Sequence, residues 1–265
     1  MSLRAFRSLL LPALALGALI APADAADMTA RDLTEQLFRA TGPVDLSGRD
    51  LEGLDLSMID FKRTRLANAK MFGVNLTGSN LSGTDLAAAN LDRATIIGAR
   101  FDGANLSGIT MLRPATTQGR RPGAEEPPSF IGTDLSKAKV FGQLSRADFS
   151  RANLTGASLA PFGKTGFIEE LFRTEMEGAN LEGADLSTSD LTYVSFRYAS
   201  LKGANLKGAR LVNADFSKAD LTGADLTGAD VQEANFDGAV LAGVKGLDSL
   251  KNRDAALNLA RPVAP

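Results

Sequence analysis

Aspartates spaced five apart, Asp45, Asp50, Asp55 and Asp60 and again Asp215, Asp220, Asp225 and Asp230, are the side chains of this chain best suited to chemistry. Carboxylates brought together can act as general acid and base, or bind a hard cation such as calcium. The rest of the composition argues against both uses. There is no histidine and no cysteine, so the commonest general base, the soft nucleophile and the thiolate ligand are missing. Glycines recur at a period of five rather than in a GxxxxGKS/T loop or a dinucleotide fingerprint. Twenty residues on from an Asp stands a residue of opposite or no charge: Arg65 follows Asp45, Lys70 follows Asp50, Asn205 follows Asp185 and Arg210 follows Asp190. That alternation opposes a cation site. The reading is of a non-enzymatic chain with no catalytic, cofactor-binding or metal-ligating residues.

Recognition by aromatic and guanidinium groups is the chemistry that remains. Tyr193 and Tyr198, the two tyrosines of the chain, stand near Arg173 and Arg197, and such residues are enriched in interface hot spots. Arg113, Arg120 and Arg121 lie in the stretch 112–129, rich in Pro and Gly. Phe167 and Phe172 belong to FIEELFR (167–173), which reads as two helical turns with an apolar side. Together these residues are the candidate contacts to a partner. Each also has a plain structural explanation: tyrosines covering backbone, a tolerated surface insertion, an apolar side packed on the body.

The element that positions them is set by a five-residue beat. A large apolar residue returns at Leu46, Leu51, Leu56 and Phe61 and onward to Met111, and again from Met176 to Leu241. Five matches neither the helix period nor the strand period, so the chain is a repeat architecture. In a unit written Ala-Asp/Asn-Leu-x-Gly the chain must turn once per unit. Gly suits the φ > 0 site of a type II turn, Asp or Asn hydrogen-bonds nearby backbone N–H groups, and Ala points inward with the central Leu or Phe. Where Gly is absent, at Met58, Arg63, Arg93, Tyr193 and Tyr198, a different turn type is expected. Phe196, Phe216 and Phe236 repeat at 20 residues. With the charge alternation, that implies four units per coil, because like charges stacked at strand spacing are destabilising.

Stretches such as Ala179-Asn180-Leu181-Glu182-Gly183 and Ala219-Asp220-Leu221-Thr222-Gly223 resemble the pentapeptide repeat proteins, over about two-thirds of the chain. The resemblance implies an all-β fold, a right-handed quadrilateral β-helix, with the central residue and the Ala inside. The ends of such a stack need covering, and short terminal helices are expected to do it. The resemblance also implies pairing of two copies, a homodimer through the C-terminal end.

The expected organisation follows from where the beat holds and fails. Residues 1–25 read as a cleavable signal peptide: Arg4 and Arg7, an apolar stretch to Ile20, then Ala23-Asp24-Ala25 with cleavage after Ala25. The apolar stretch is too short to span a membrane, no later stretch is long enough either, and without cysteine the chain is no lipoprotein. Residues 26–43 hold a capping helix with Thr29 and Asp32 at its start and an apolar stripe of Leu33, Leu37 and Phe38. Repeats fill 44–111, a loop insertion 112–129, irregular repeats 130–159, a second insertion with a short helix 160–175, and repeats again 176–246. Residues 247–265 form a C-terminal helix and tail. One residue is lost before Leu144, so a distortion is expected between Phe141 and Ser145.

Two functions from different classes fit the resemblance. Some pentapeptide repeat proteins mimic duplex DNA and shield type II topoisomerases. This chain has a net charge of −2 and a signal peptide, which disfavour that role and nucleic-acid binding alike. The other is an exported, non-catalytic interaction or scaffold protein, periplasmic or secreted, whose faces and insertions bind an unidentified protein of the cell envelope. A secreted effector is its close variant.

Overall fold

The computed structural model describes residues 27–61, 64–117, 126–161 and 173–259. After one helix, α1 (Ala30–Arg39), the chain winds as a coil whose successive turns are joined by parallel bridges. Asp45 pairs with Arg65, Asp50 with Lys70, Asp55 with Asn75 and Asp60 with Asn80. Four ladders result, one per side. The first runs from Asp45 to Lys245, the second from Asp50 to Lys251, the third from Asp55 to Ala115 and, resuming at Gln143, to Leu257, and the fourth from Asp60 to Val240. Strand character broadens at one point, where β1 (Thr110–Leu112) pairs in parallel with β2 (Lys139–Phe141).

Each unit closes its own corner and bonds to the coils on either side. Arg49 N donates to Leu46 O at 3.1 Å across the turn, while Leu46 N donates to Arg65 O and Arg65 N to Val44 O, both at 2.8 Å. Backbone polar groups are thereby satisfied without a conventional sheet. Inward, the central residues from Leu46 to Phe236 are buried, and so are the Ala residues two positions ahead of them. Where Ser or Thr replaces that Ala, its hydroxyl donates to an inner carbonyl: Ser79 to Leu56 O at 2.6 Å and Thr84 to Leu81 O at 2.7 Å. The cost of burying a hydroxyl is offset in this way. Phenylalanines one coil apart stack, Phe101 on Phe130 on Phe149 and Phe196 on Phe216 on Phe236, with centroids 4.6–5.1 Å apart.

Helix α1 covers the first coil. Thr29 Oγ1 accepts from Asp32 N at 3.1 Å and Asp32 Oδ2 accepts from Thr29 N at 3.1 Å, a reciprocal cap. Leu33 and Leu37, four apart, are buried against the coil. Phe38, expected in the same stripe, is instead 84% exposed, because it lies one residue, about 100° of helix, past Leu37. Ahead of the helix, Asp27 takes the place of a preceding coil: its N–H donates to Asp50 O and its Oδ2 accepts from Asp50 N, both at 2.9 Å.

Several expectations need correction. Turns without glycine keep the same left-handed third residue: Met58, Arg93, Tyr193 and Tyr198 have φ of 57–62°, beside 66° at Gly53 and Gly73. The inter-coil hydrogen bonds hold that conformation whatever the side chain. Arg63 lies outside the described residues. The stretch 112–129 is not a loop throughout. Ala115 bridges Thr95, Thr116 fills a central inward place with its hydroxyl bonded to Gln143 O at 3.1 Å, and Glu126 O already accepts from Gly98 N. Residues 118–125 lie outside the described residues. Ladder pairing after them joins Arg100 to Ser129. In the stretch 160–175, Thr174 is buried with its hydroxyl on Leu159 O at 2.7 Å, and Glu175 bridges Gln143. The helix expected within 167–173 lies outside the described residues, Arg173 excepted.

The lost residue is found between Val140 and Leu144, and from there Ser129 pairs with Asp148 and Asp134 with Asn153. Gly142, φ 151°, sits at the deletion, where a Cβ would come within 2.9 Å of Pro114 Cδ. At the C-terminal end no α-helix forms over the described residues. Two 3-10 turns, Leu247–Ser249 and Arg253–Ala255, sit between ladder residues instead, and Lys251 and Leu257 still bridge Asp230 and Asn235. Pairing to the coil beneath outweighs the weak helical periodicity of that segment.

Candidate interaction surface

The outward carboxylates are occupied by the fold itself. Asp220 Oδ1 accepts from Thr222 N at 2.9 Å and from Thr222 Oγ1 at 2.6 Å, and Asp225 does the same with Thr227 at 3.0 and 2.5 Å. The Thr222 hydroxyl, then its N–H, holds Asp220 below the ordinary carboxylate value, and the Thr227 hydroxyl does so for Asp225. Across coils, Asn75 Nδ2 donates to Asp55 at 3.0 Å, Asn105 to Asp85 at 2.9 Å and Asn205 to Asp185 at 3.1 Å. Lysines bind the same row: Lys70 Nζ is 3.2 Å from Asp50 and Lys207 Nζ 3.2 Å from Asp225. Among the described residues no three acidic side chains gather as a metal site. A groove of about 570 Å³ beside α1, lined by residues that include Glu35, Arg39 and Asp45, is open to solvent. No described helix is long and apolar enough to cross a membrane.

Four of the expected contact residues lie along or at the corners of the third side, and of these Arg197 and Tyr198 are in contact. Tyr193 and Tyr198 occupy the left-handed corner positions before and after Ser195. Arg197 places its guanidinium carbon 5.8 Å from the Tyr198 ring centre. Hydrogen bonding with Tyr198, then the charge of Asp215, raises the Arg197 pKa further above an already high value. Arg173 Nε donates to Glu175 Oε1 at 2.8 Å, and Glu175 bridges Ser195, which bridges Asp215. Tyr198 is 56% exposed, while Tyr193 and Arg197 are half-buried. Arg113 lies elsewhere, at the corner whose N–H donates to Phe141 O. Arg120, Arg121, Phe167 and Phe172 lie outside the described residues.

Sequence reasoning missed two features. Ser195 is fully buried at a position that normally faces out, and its Oγ and the Arg197 Nε are buried without a hydrogen-bond partner among the described residues. Nothing in a lone Ser signals this. Val240, by contrast, breaks the polar rule of the outward ladder position within the repeat, and that break is readable from the sequence; Leu257 breaks it in a segment where the five-residue beat has ended.

A family model described as Pentapeptide repeats matches eight copies over residues 44–78, 69–108, 143–160, 170–208 and 204–243. Among solved structures, the chain is similar to HetL, a pentapeptide repeat protein involved in heterocyst differentiation regulation from the cyanobacterium Nostoc sp. strain PCC 7120. That likeness has 26% identity, covers 87% of this chain and all of HetL, and has a TM-score of 0.46. Full-length QnrB1, a plasmid-mediated fluoroquinolone resistance protein, is 20% identical over 78% of this chain and 93% of its own, with a TM-score of 0.32. Rfr23 from the cyanobacterium Cyanothece 51142 is 26% identical over 60% of this chain and 90% of its own, with a TM-score of 0.26. No curated protein matches.

Proposed function

Because the chain belongs to the pentapeptide repeat family, we propose that it is a non-catalytic exported interaction and scaffold protein. It is a rod, wound right-handed as parallel crossovers are, that binds another macromolecule of the cell envelope. The observation that carries this reading is the occupation of the outward carboxylates. They accept from their own turns and from the next coil, as Asp220 and Asp225 do. Side chains held this way stiffen a surface rather than act as acid or base. What the rod offers a partner is shape, and the exposed Tyr198 beside Arg197 suits contact more than turnover.

Export rests on the first 25 residues, with cleavage after Ala25 releasing a periplasmic or secreted product. The nearly balanced charge favours this role over DNA mimicry. Crosslinking in intact cells tests the reading, comparing the full chain with one lacking residues 118–125. Partners captured on the outer side of the inner membrane, with some lost on deletion, are the expected result. A product confined to the cytosol, or one captured with a type II topoisomerase, would refute it. Pairing of two copies through the C-terminal end is the second reading, favoured by apolar residues left half-exposed there, Leu241, Val244 and Leu250.

A further inference from the structure

The first side of the rod carries a regular surface from end to end. Its ladder runs Asp45, Arg65, Asp85, Asn105, Asp134, Asn153, Asp185, Asn205, Asp225 and Lys245. From Asp85 to Asp225 carboxylate and amide alternate without a break. The order holds although added residues separate Asn105 from Asp134 and Asn153 from Asp185. Within the rod, Asn105, Asn153 and Asn205 each donate to the Asp one coil before, at 2.9–3.1 Å. Avoidance of stacked like charges accounts for the rest.

This side is also flat. The outward row past the ladder is Ala67, Ala87, Ser107, Ser136, Thr155 and Ser187, followed by Lys207 and Thr227. Most of its corners are glycine, among them Gly103, Gly132 and Gly183 on one edge and Gly108, Gly156 and Gly208 on the other. The residues that flank 118–125 and 162–172, Thr117, Glu126, Pro161 and Arg173, stand at or beside the third side, across the rod.

We propose that two copies of the chain lie side by side and antiparallel, first side against first side. A two-fold axis across this side lays each ladder on the other with the coils in reverse order. Centred between Asp134 and Asn153, it sets Asp134 against Asn153, Asn105 against Asp185 and Asp85 against Asn205. Arg65 then meets Asp225, and Asp45 meets Lys245, which is exposed and holds no ion pair among the described residues. Every charge on the ladder faces its opposite or an amide. In the neighbouring row Ser107 faces Ser187, and the long Lys207 faces Ala87. A slip of one coil either way lays Asp on Asp. A slip of two restores Asp on Asn but shortens the overlap and loses the Asp45–Lys245 pair. Ten coils at strand spacing give a side about 45 Å long and about 12 Å wide, so the pair buries about 1,000 Å² in total, the lower bound of a specific interface.

The second ladder ends alike, in Asp50 and Lys251, but at the same register its Lys139 and Arg210 face Ser158 and Asn90 rather than carboxylates. Phe72, 40% exposed, also stands out of that side. On the first side the like-charge approach is at Lys137, whose corner lies beside the axis and meets its copy there.

The pairing depends neither on compartment nor on what the rod binds, and it is distinct from pairing through the C-terminal end. The chain has no cysteine, so single cysteines report the register. Ser107→Cys and Ser187→Cys samples of the full chain are treated with a short bis-maleimide, separately and mixed. The mixture should link at least tenfold more than either alone, because Ser107 faces Ser187 of the other copy and lies three coils from the other Ser107. Ala87→Arg, placed against Lys207, should abolish the link with the melting temperature unchanged. Ala242→Arg, at the C-terminal end, should leave it, and Lys137→Ser should strengthen it. Equal linking in all three samples, or none in the mixture, would overturn the inference. So would a link that Ala242→Arg removes and Ala87→Arg spares, the mark of pairing through the end. Envelope crosslinks test the interaction role apart from this, so either can fail alone.

Discussion

Lys70 lies directly over Asp50, its Nζ 3.2 Å from Oδ2 across the parallel bridge that joins the same two residues. The Asp50 carboxylate is 10% exposed and the lysine 58%, so the ammonium stands in solvent above a nearly enclosed anion. Asp50 also accepts from Glu52 N and pairs with Asp27 through its backbone. The pair therefore ties together the first two coils and the segment leading into the cap. Lys70→Glu should lower stability by about 1 kcal/mol, the screening of the exposed partner limiting the effect. Arg210→Glu should cost less, since Arg210 is 3.9 Å from a more exposed Asp190. Denaturation at low and high salt checks both, and the difference should shrink as salt rises.

The facing of neighbours separates Leu206 from Lys207. Leu206 is fully buried and Lys207 outward, paired with Asp225. Leu206→Asp places an unpaired charge among stacked apolar side chains and should cost more than about 4 kcal/mol. Lys207→Ala should stay within about 1 kcal/mol. Equal thermal shifts would contradict the assignment of inside and outside.

Acid should weaken the rod. The folded pKa values of Asp45, Asp55, Asp220 and Asp225 are depressed by their turn hydrogen bonds. Between the depressed value and the ordinary Asp value of about 3.9 the unfolded chain binds more protons. Their contribution is thus present above that value and lost as pH falls through the folded values. The melting temperature should be level near neutrality and fall below about pH 4. Replacing Thr222 and Thr227 together by Val removes the leading cause for two of the four, and the drop should become shallower.

Left-handed corners without glycine carry removable strain. Ala88 has φ 56° and is exposed, so Ala88→Gly loses no packing and should stabilise by about 1 kcal/mol. At Gly103, φ 64°, an added Cβ meets nothing within 4 Å, so Gly103→Ala should cost about the same through conformation alone. Chemical denaturation of the two variants should give shifts of opposite sign. A gain at Gly103 would refute the backbone account.

What the sequence determined by itself is the content of one unit and its repeat. A large side chain every fifth residue must point inward, and charges that alternate at 20 residues must stack. Both are local statements, and both were legible. The reciprocal cap of Thr29 and Asp32 was legible for the same reason. Tertiary structure decided whatever depends on the coil above or below. Thr116 serves as a central residue because Gln143 O receives its hydroxyl, although no large apolar side chain marks the unit. Met58 and Tyr198 adopt a glycine's conformation because hydrogen bonds to neighbouring coils outweigh a strain of about 1 kcal/mol. The segment at 247–259 gives up helix for 3-10 turns because Lys251 and Leu257 can still bridge the coil beneath. Ser195 is buried and Val240 half-exposed at two equivalent ladder positions, through what stacks against each among the described residues. Periodicity states which way a side chain points, whereas contact between residues distant in sequence decides whether that direction ends in core, in a partner coil or in solvent.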